Sequence, residues 1–337
     1  MNTRRVRGVA IAGLVFLVVQ VGAVSLVPAF ESANYQATEN PQDPTNSVVY
    51  LGAILVVTAL MLAAFRYDLD QLIRGVIVLS SGLLAWYVFS VALPPNAAVV
   101  AAALVAVALW VYPEWYVIDT AGALMGAGAA GLFGISFGLL PAIVLLTALA
   151  VYDAISVYGT EHMLDLAEGV MALKIPVVLV IPLTWSYSLL DAEFADEDDA
   201  DTTDGPDVDG PETADGGVSE RESGPERHAH GGEDDERDVF FIGLGDAVMP
   251  AVMVASAAFW SPATPLGIPG LPAMGLPALL SMVGTFLGLG LLLRMVMKGR
   301  AHAGLPLLNG GAIGGYLLGS LVAGVPLVTA LGLGTYL

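Results

Sequence analysis

The chain has 337 residues, of which 56% are hydrophobic and only 13% charged, with a mean hydropathy of +0.75 and a formal net charge of −20. Soluble domains carry about 25% charged residues, so the composition excludes an ordinary soluble globule, and so acidic a chain argues against nucleic-acid partners. With no cysteine, disulfides, thiolate nucleophiles and cysteine metal sites are excluded as well.

A helix needs about 20 predominantly apolar residues to cross a bilayer. In chain order, apolar segments of that kind fall at 8–30, 48–65, 72–93, 97–113, 117–137, 139–158, 239–260, 274–297 and 305–336. The fold class expected is an all-α polytopic membrane protein with nine transmembrane helices. Arg4, Arg5 and Arg7 precede the first segment as they would in a signal peptide, but the stretch lacks a small-x-small cleavage site and reads as an uncleaved span. Three regions follow: a membrane bundle over 1–190, an acidic loop over 191–238 and a second bundle over 239–337. The loop holds 20 acidic residues against three arginines and almost no large apolar side chains. It cannot offset its ordering entropy by burial and reads as disordered. Only two lysines occur in the chain, and an acid-rich, lysine-poor exposed segment suits life in high salt.

Lysine and arginine set the orientation. With the N-terminus in the cytoplasm, all twelve fall in inside segments: 1–7, 66–74, 159–238 and 294–304. The segments left outside, 31–47, 94–96, 261–273 and the C-terminus, hold none. In that frame Asp153 lies near the cytoplasmic end of the sixth span and Asp246 near the cytoplasmic start of the seventh. Counted at 1.5 Å per residue, both sit about 10 Å below the inner surface.

An ionised carboxylate in hydrocarbon is expensive, so a carboxylate inside a span marks a functional site. Glu114 and Asp119 are set aside as flanking a short turn. Two carboxylates side by side on consecutive antiparallel helices share a proton, one as acid and one as base. That pair can activate water against a peptide carbonyl, or it can carry protons or cations. Gly243 and Gly245, before Asp246, leave room for another backbone, and Pro250 removes the helical partner of the Asp246 carbonyl. In the ninth span, glycines at 310, 311, 314, 315 and 319 predict tight helix packing.

After the sixth span, Glu161, Asp165 and Glu168 share one face of a short amphipathic helix at the membrane surface. "PVVLVIP", Pro176–Pro182, is too short to span. It is rich in β-branched residues and predicts an exposed strand, Val177, Val178, Leu179, Val180 and Ile181, able to pair with an unwound substrate.

Together these features resemble the presenilin and signal peptide peptidase family of intramembrane aspartyl proteases, including its archaeal members. The residues that carry the likeness are Tyr152-Asp153 in the sixth span, "GLGD" (Gly243, Leu244, Gly245, Asp246) in the seventh, and Pro306-Leu307-Leu308 opening the ninth. The resemblance implies that Asp153 and Asp246 are the catalytic dyad. It also implies that Tyr152, Gly243, Leu244, Gly245, Pro306, Leu307 and Leu308 shape the site, and that the Pro176–Pro182 region holds substrate as a strand. The family's third motif is Pro-Ala-Leu, and here Leu307 replaces its alanine. The wording "GLGDAVMP" is closer to signal peptide peptidases, whereas the charge-derived orientation is presenilin-like and favours substrates whose N-terminus lies outside. Presenilins are nicked between spans six and seven, but this loop has no apolar segment and no nicking is expected.

Other chemistries fit less well. "GISFG", Gly134–Gly138, matches G-x-S-x-G, but no histidine lies within a span to activate Ser136. H-E-x-x-H is absent, and His228 and His230 read as solvated loop residues. The expected function is therefore intramembrane aspartyl proteolysis, with a proton- or cation-coupled transporter as the alternative. The partners are the bilayer and single-span transmembrane proteins or peptides. No metal or organic cofactor is implied.

Overall fold

The computed structural model describes residues 3–67, 69–159, 176–183, 188–189, 239–296 and 303–335. Six helices come first: α1 (Thr3–Ser32), α2 (Thr45–Arg66), α3 (Asp70–Ala92), α4 (Pro95–Val111), α5 (Trp115–Ser136) and α6 (Leu139–Gly159). Two strands follow, β1 (Val178–Pro182) and β2 (Val239–Gly243), then α7 (Leu244–Trp260), α8 (Leu276–Val296), α9 (Leu305–Val322) and the short α10 (Leu327–Ala330). Among the described residues, seven helices are long and apolar enough to cross a membrane, and α4 and α7 are apolar helices of 17 residues each. That length is the lower limit for crossing the hydrocarbon core, so the helices correspond to the nine expected spans.

The main core is built from α1, α5, α6, α7, α8 and α9. By contrast, no residue in the most apolar stretch of α2 is buried. In water such a helix would be unstable, whereas lipid is its natural solvent. Without a hydrophobic drive between helices in lipid, close packing rests on small side chains. At the α8–α9 crossing a Cβ on Gly284 would run into the Gly311 carbonyl, and one on Gly315 into that of Leu280. Gly311, Gly315 and Gly319 thus form the contact stripe, while Gly310 and Gly314 face open space. The glycine run predicted tight packing, and one of its two faces provides it.

The segment after α1 plugs the far end of α5. Ala37 N–H donates to Ser136 Oγ at 2.9 Å, Thr38 Oγ1 to the Ser136 carbonyl at 2.6 Å, and Gln36 Nε2 to the Ile135 carbonyl at 2.9 Å. Ser136, in the G-x-S-x-G match, is buried and holds a loop.

Three sequence expectations need correction. Residues 239–243 were expected to open the seventh span as helix. They are β2, paired antiparallel with β1 in the register Val178–Gly243 to Pro182–Val239, and the helix begins only at Leu244. "VFFIG" is as apolar as the helix it precedes, and a buried strand and a buried helix segment share that composition. The Pro176–Pro182 stretch does contain a strand, but not an exposed one, because Leu179, Val180 and Ile181 are buried. The ninth span, expected to run to 336, ends at Val322, and the chain turns at Gly324 (φ 76°) before α10. The amphipathic helix and the acidic loop lie outside the described residues.

Candidate active site

Asp153 sits in the fourth turn of α6, and Asp246 is the third residue of α7. Both reach the same point, the backbone turn that opens α9. The Leu305 N–H donates to Asp153 Oδ2 at 3.0 Å, and the Gly304 N–H contributes to the same anchor. Helix N-termini leave unpaired N–H groups that favour a carboxylate, so α9 offers Asp153 a ready partner. Gly304 precedes α9 as its cap residue, with ordinary helical angles of φ −78° and ψ −48°. Its lack of a side chain matters for another reason. A Cβ there would stand 3.1 Å from both carboxylate oxygens of Asp246. The two aspartates are thus brought together across Gly304 and interact electrostatically.

Asp246 opens onto a cavity of about 170 Å³. The cavity's lining includes Phe241, Ile242 and Gly243 of β2, Gly8 of α1, Leu292 of α8 and Gly304. Its volume has room for several waters, each needing roughly 10–15 Å³ by this measure. A helix with side chains is about 10–12 Å across, too wide for a cavity of this volume.

The other residues singled out in the sequence divide into those at the cleft and those behind it. Gly243 caps α7 and lines the cavity, and the space beside Gly245 is open. Tyr152 is 46% exposed on the outer surface of α6. Leu244 points away from the cleft and is buried against Gly122 and Gly126 of α5. Pro306 occupies the first turn of α9, where its missing N–H costs no helical bond. Leu307 is half-buried, Leu308 is fully buried, and Leu307's carbonyl abuts Gly288 of α8. Val177 accepts the Leu244 N–H at 2.7 Å, Val178 ends the ladder opposite Gly243, Leu179 and Val180 are buried behind β2, and Ile181, also buried, lines the cavity with Asp246.

The sequence reading missed three elements of this site: Gly304, β2, and Asp119, which is buried and bonded to β1. The signals were a glycine directly before the Leu305-Pro306 helix start, and an acid five residues into an apolar helix.

A profile described as "Signal-peptide peptidase, presenilin aspartyl protease" matches residues 13–325. The chain belongs to that family. Two solved structures of a presenilin family intramembrane aspartate protease, from C222 and P2 crystals, are similar to it. The first is 29% identical, with a TM-score of 0.60 over 93% of this chain and 99% of the other. The second is 30% identical, with a TM-score of 0.58 over 92% and 96%. No curated protein gives a significant sequence match. The protein is an intramembrane aspartyl protease with a multi-pass helical fold, and nothing supports the transporter alternative.

Proposed function

We propose that Asp153 and Asp246 are the catalytic dyad of this protease, and that it cuts single-span transmembrane substrates near the cytoplasmic face. The observation that carries the reading is the convergence of both carboxylates on the Gly304–Leu305 turn, beside a cavity with room for water. One aspartate takes a proton from water as its oxygen attacks the scissile carbonyl carbon. The other gives a proton to the carbonyl oxygen, yielding a tetrahedral diol. Return of a proton to the amide nitrogen then breaks the C–N bond.

The substrate docks as a strand. A helical peptide bond is shielded by its own hydrogen bonds, so the substrate must unwind, and its freed backbone groups need partners in lipid. The outer edge of β2 provides them. Orientation follows the lysine and arginine distribution, with the N-terminus and the 159–238 segment cytoplasmic and substrates entering with their N-terminus outside. The acidic, lysine-poor loop fits a high-salt habitat.

The test is reconstitution with a labelled single-span peptide and mass spectrometry of the fragments. Wild type should cut within the span, and Asp153→Ala and Asp246→Ala should each abolish cleavage while remaining folded. Wild-type fragments that persist unchanged in either variant would remove that aspartate from the dyad.

A further inference from the structure

A two-stranded sheet has two outer edges, each with unpaired N–H and C=O groups that invite another strand. Only one of them borders the cavity at Asp246. The ladder's phase shows which groups face outward. The Leu244 N–H bonds the Val177 carbonyl. Antiparallel pairs alternate, so Val178, Val180 and Pro182 turn away from β2, and Val239, Phe241 and Gly243 turn away from β1. On β1, Pro182 has no N–H, and the Val180 N–H is taken by Asp119 Oδ1 of α5 at 2.7 Å. Asp119 is only 7% exposed, so this bond forms away from competing water.

The surroundings of Asp119 hold the strand in the same place. One turn along α5, a Cβ on Gly122 would stand 3.1 Å from Leu179 Cδ2 and 3.6 Å from the Pro176 carbonyl, so β1 rests directly on the helix. Beyond β1, Arg7 Nη1 donates to the Leu183 carbonyl at 3.3 Å. Glu114 then accepts the Ser188 hydroxyl at 2.6 Å and the Leu189 N–H at 3.2 Å. Asp246 follows β2 by three residues, so any slide of β1 against α5 moves β2 and changes which substrate bond faces the dyad.

We propose that Asp119 is a positioning residue for proteolysis: it closes the outer edge of β1 and fixes the sheet on α5, leaving the β2 edge as the substrate dock in register with Asp246. This rests on the strand-docking reading above. The part Asp119 plays is acceptance of one hydrogen bond, which an amide oxygen performs as well as a carboxylate.

Asp119→Asn should therefore cut the reconstituted peptide at the wild-type bond with KM within about twofold. Asp119→Leu, of similar size but without an acceptor, should raise KM about tenfold, in line with the loss of one buried hydrogen bond. Fragments should also appear from bonds displaced by two residues, the smallest slip that keeps the same side chains facing the cleft. Wild-type KM and fragments in Asp119→Leu would overturn the proposal, as would an Asp119→Asn defect equal to that of Asp119→Leu. A second measurement depends neither on cleavage nor on a variant's folding. Hydrogen–deuterium exchange at the Val180 amide of the wild-type protein should be strongly slowed, and exchange at the rate of an unprotected peptide would overturn the proposal. If Asp153→Ala or Asp246→Ala still cuts like wild type, the dyad reading fails, while the exchange result still decides the role of Asp119.

Discussion

Gly304 shows how one absent side chain can serve chemistry rather than folding. Its φ and ψ are helical, so alanine fits the backbone and as a cap residue gives up only a modest preference for glycine. Yet its methyl group would crowd both oxygens of Asp246. Gly304→Ala should lower stability by no more than about 1 kcal/mol while lowering kcat about 100-fold, the scale of a misplacement of about 1 Å in a catalytic group. Unfolding curves and steady-state cleavage of the same preparation separate the two effects, and a variant with normal kcat would show that Asp246 has slack there. The pair itself makes a further prediction at this scale. With both carboxyls protonated there is no base, and with both ionised there is no acid, so kcat/KM should fall on either side of an optimum. The check is single-turnover cleavage from about pH 4 to about pH 9, and a flat rate with chemistry limiting would count against a shared proton.

At the scale of elements, the bundle and its sheet are held by contacts of different kinds. α8 and α9 touch through glycine backbones, so added volume there has nowhere to go. Gly311→Ala should destabilise the protein by about 1–3 kcal/mol, whereas Gly310→Ala, facing open space, should be neutral or mildly stabilising. Thermal unfolding in detergent compares the two directly. The sheet is fixed by hydrogen bonds and tolerates different changes. An outward-facing N–H on an edge strand can be replaced by proline without breaking the ladder. Phe241→Pro should therefore keep the fold and transition-state-analogue binding but raise the substrate KM about tenfold. A KM equal to wild type would move the dock elsewhere. The sequence conveyed these elements unevenly. Nine spans were legible because a bilayer demands long apolar runs and expels charge from them. Asp153 and Asp246 were legible as candidates because each is the one charged residue in its own apolar run, 139–158 and 239–260. β2 was not, because its identity as a strand depends on a partner, residues 178–182, that only the fold brings beside it. Gly304 and Asp119 were hidden for the same reason, their roles being contacts with distant parts of the chain.

At the scale of the whole molecule, the direction of the bundle decides which substrates it can take. The proposed dyad lies at one end of the span pair α6–α7, so the side of the membrane it faces depends on how the chain inserts. All twelve basic residues fall on the side of the expected 1–7, 66–74, 159–238 and 294–304 segments. In lipid this bias is a strong determinant of topology, because moving each arginine across the bilayer centre costs several kcal/mol. The fold agrees on which segments share a side, since Arg7 of α1 bonds Leu183 beyond β1, and Asp246 starts the helix that follows β2. The cysteine-free chain allows a clean test, because any introduced thiol is the only one present. Asn40→Cys, in the exposed segment between α1 and α2, should react with a membrane-impermeant maleimide added to intact cells. Tyr67→Cys, 71% exposed in wild type between α2 and α3, should react only after the membrane is opened. The opposite pattern would place the dyad near the outer face, and the same protease would then take substrates whose N-terminus lies in the cytoplasm.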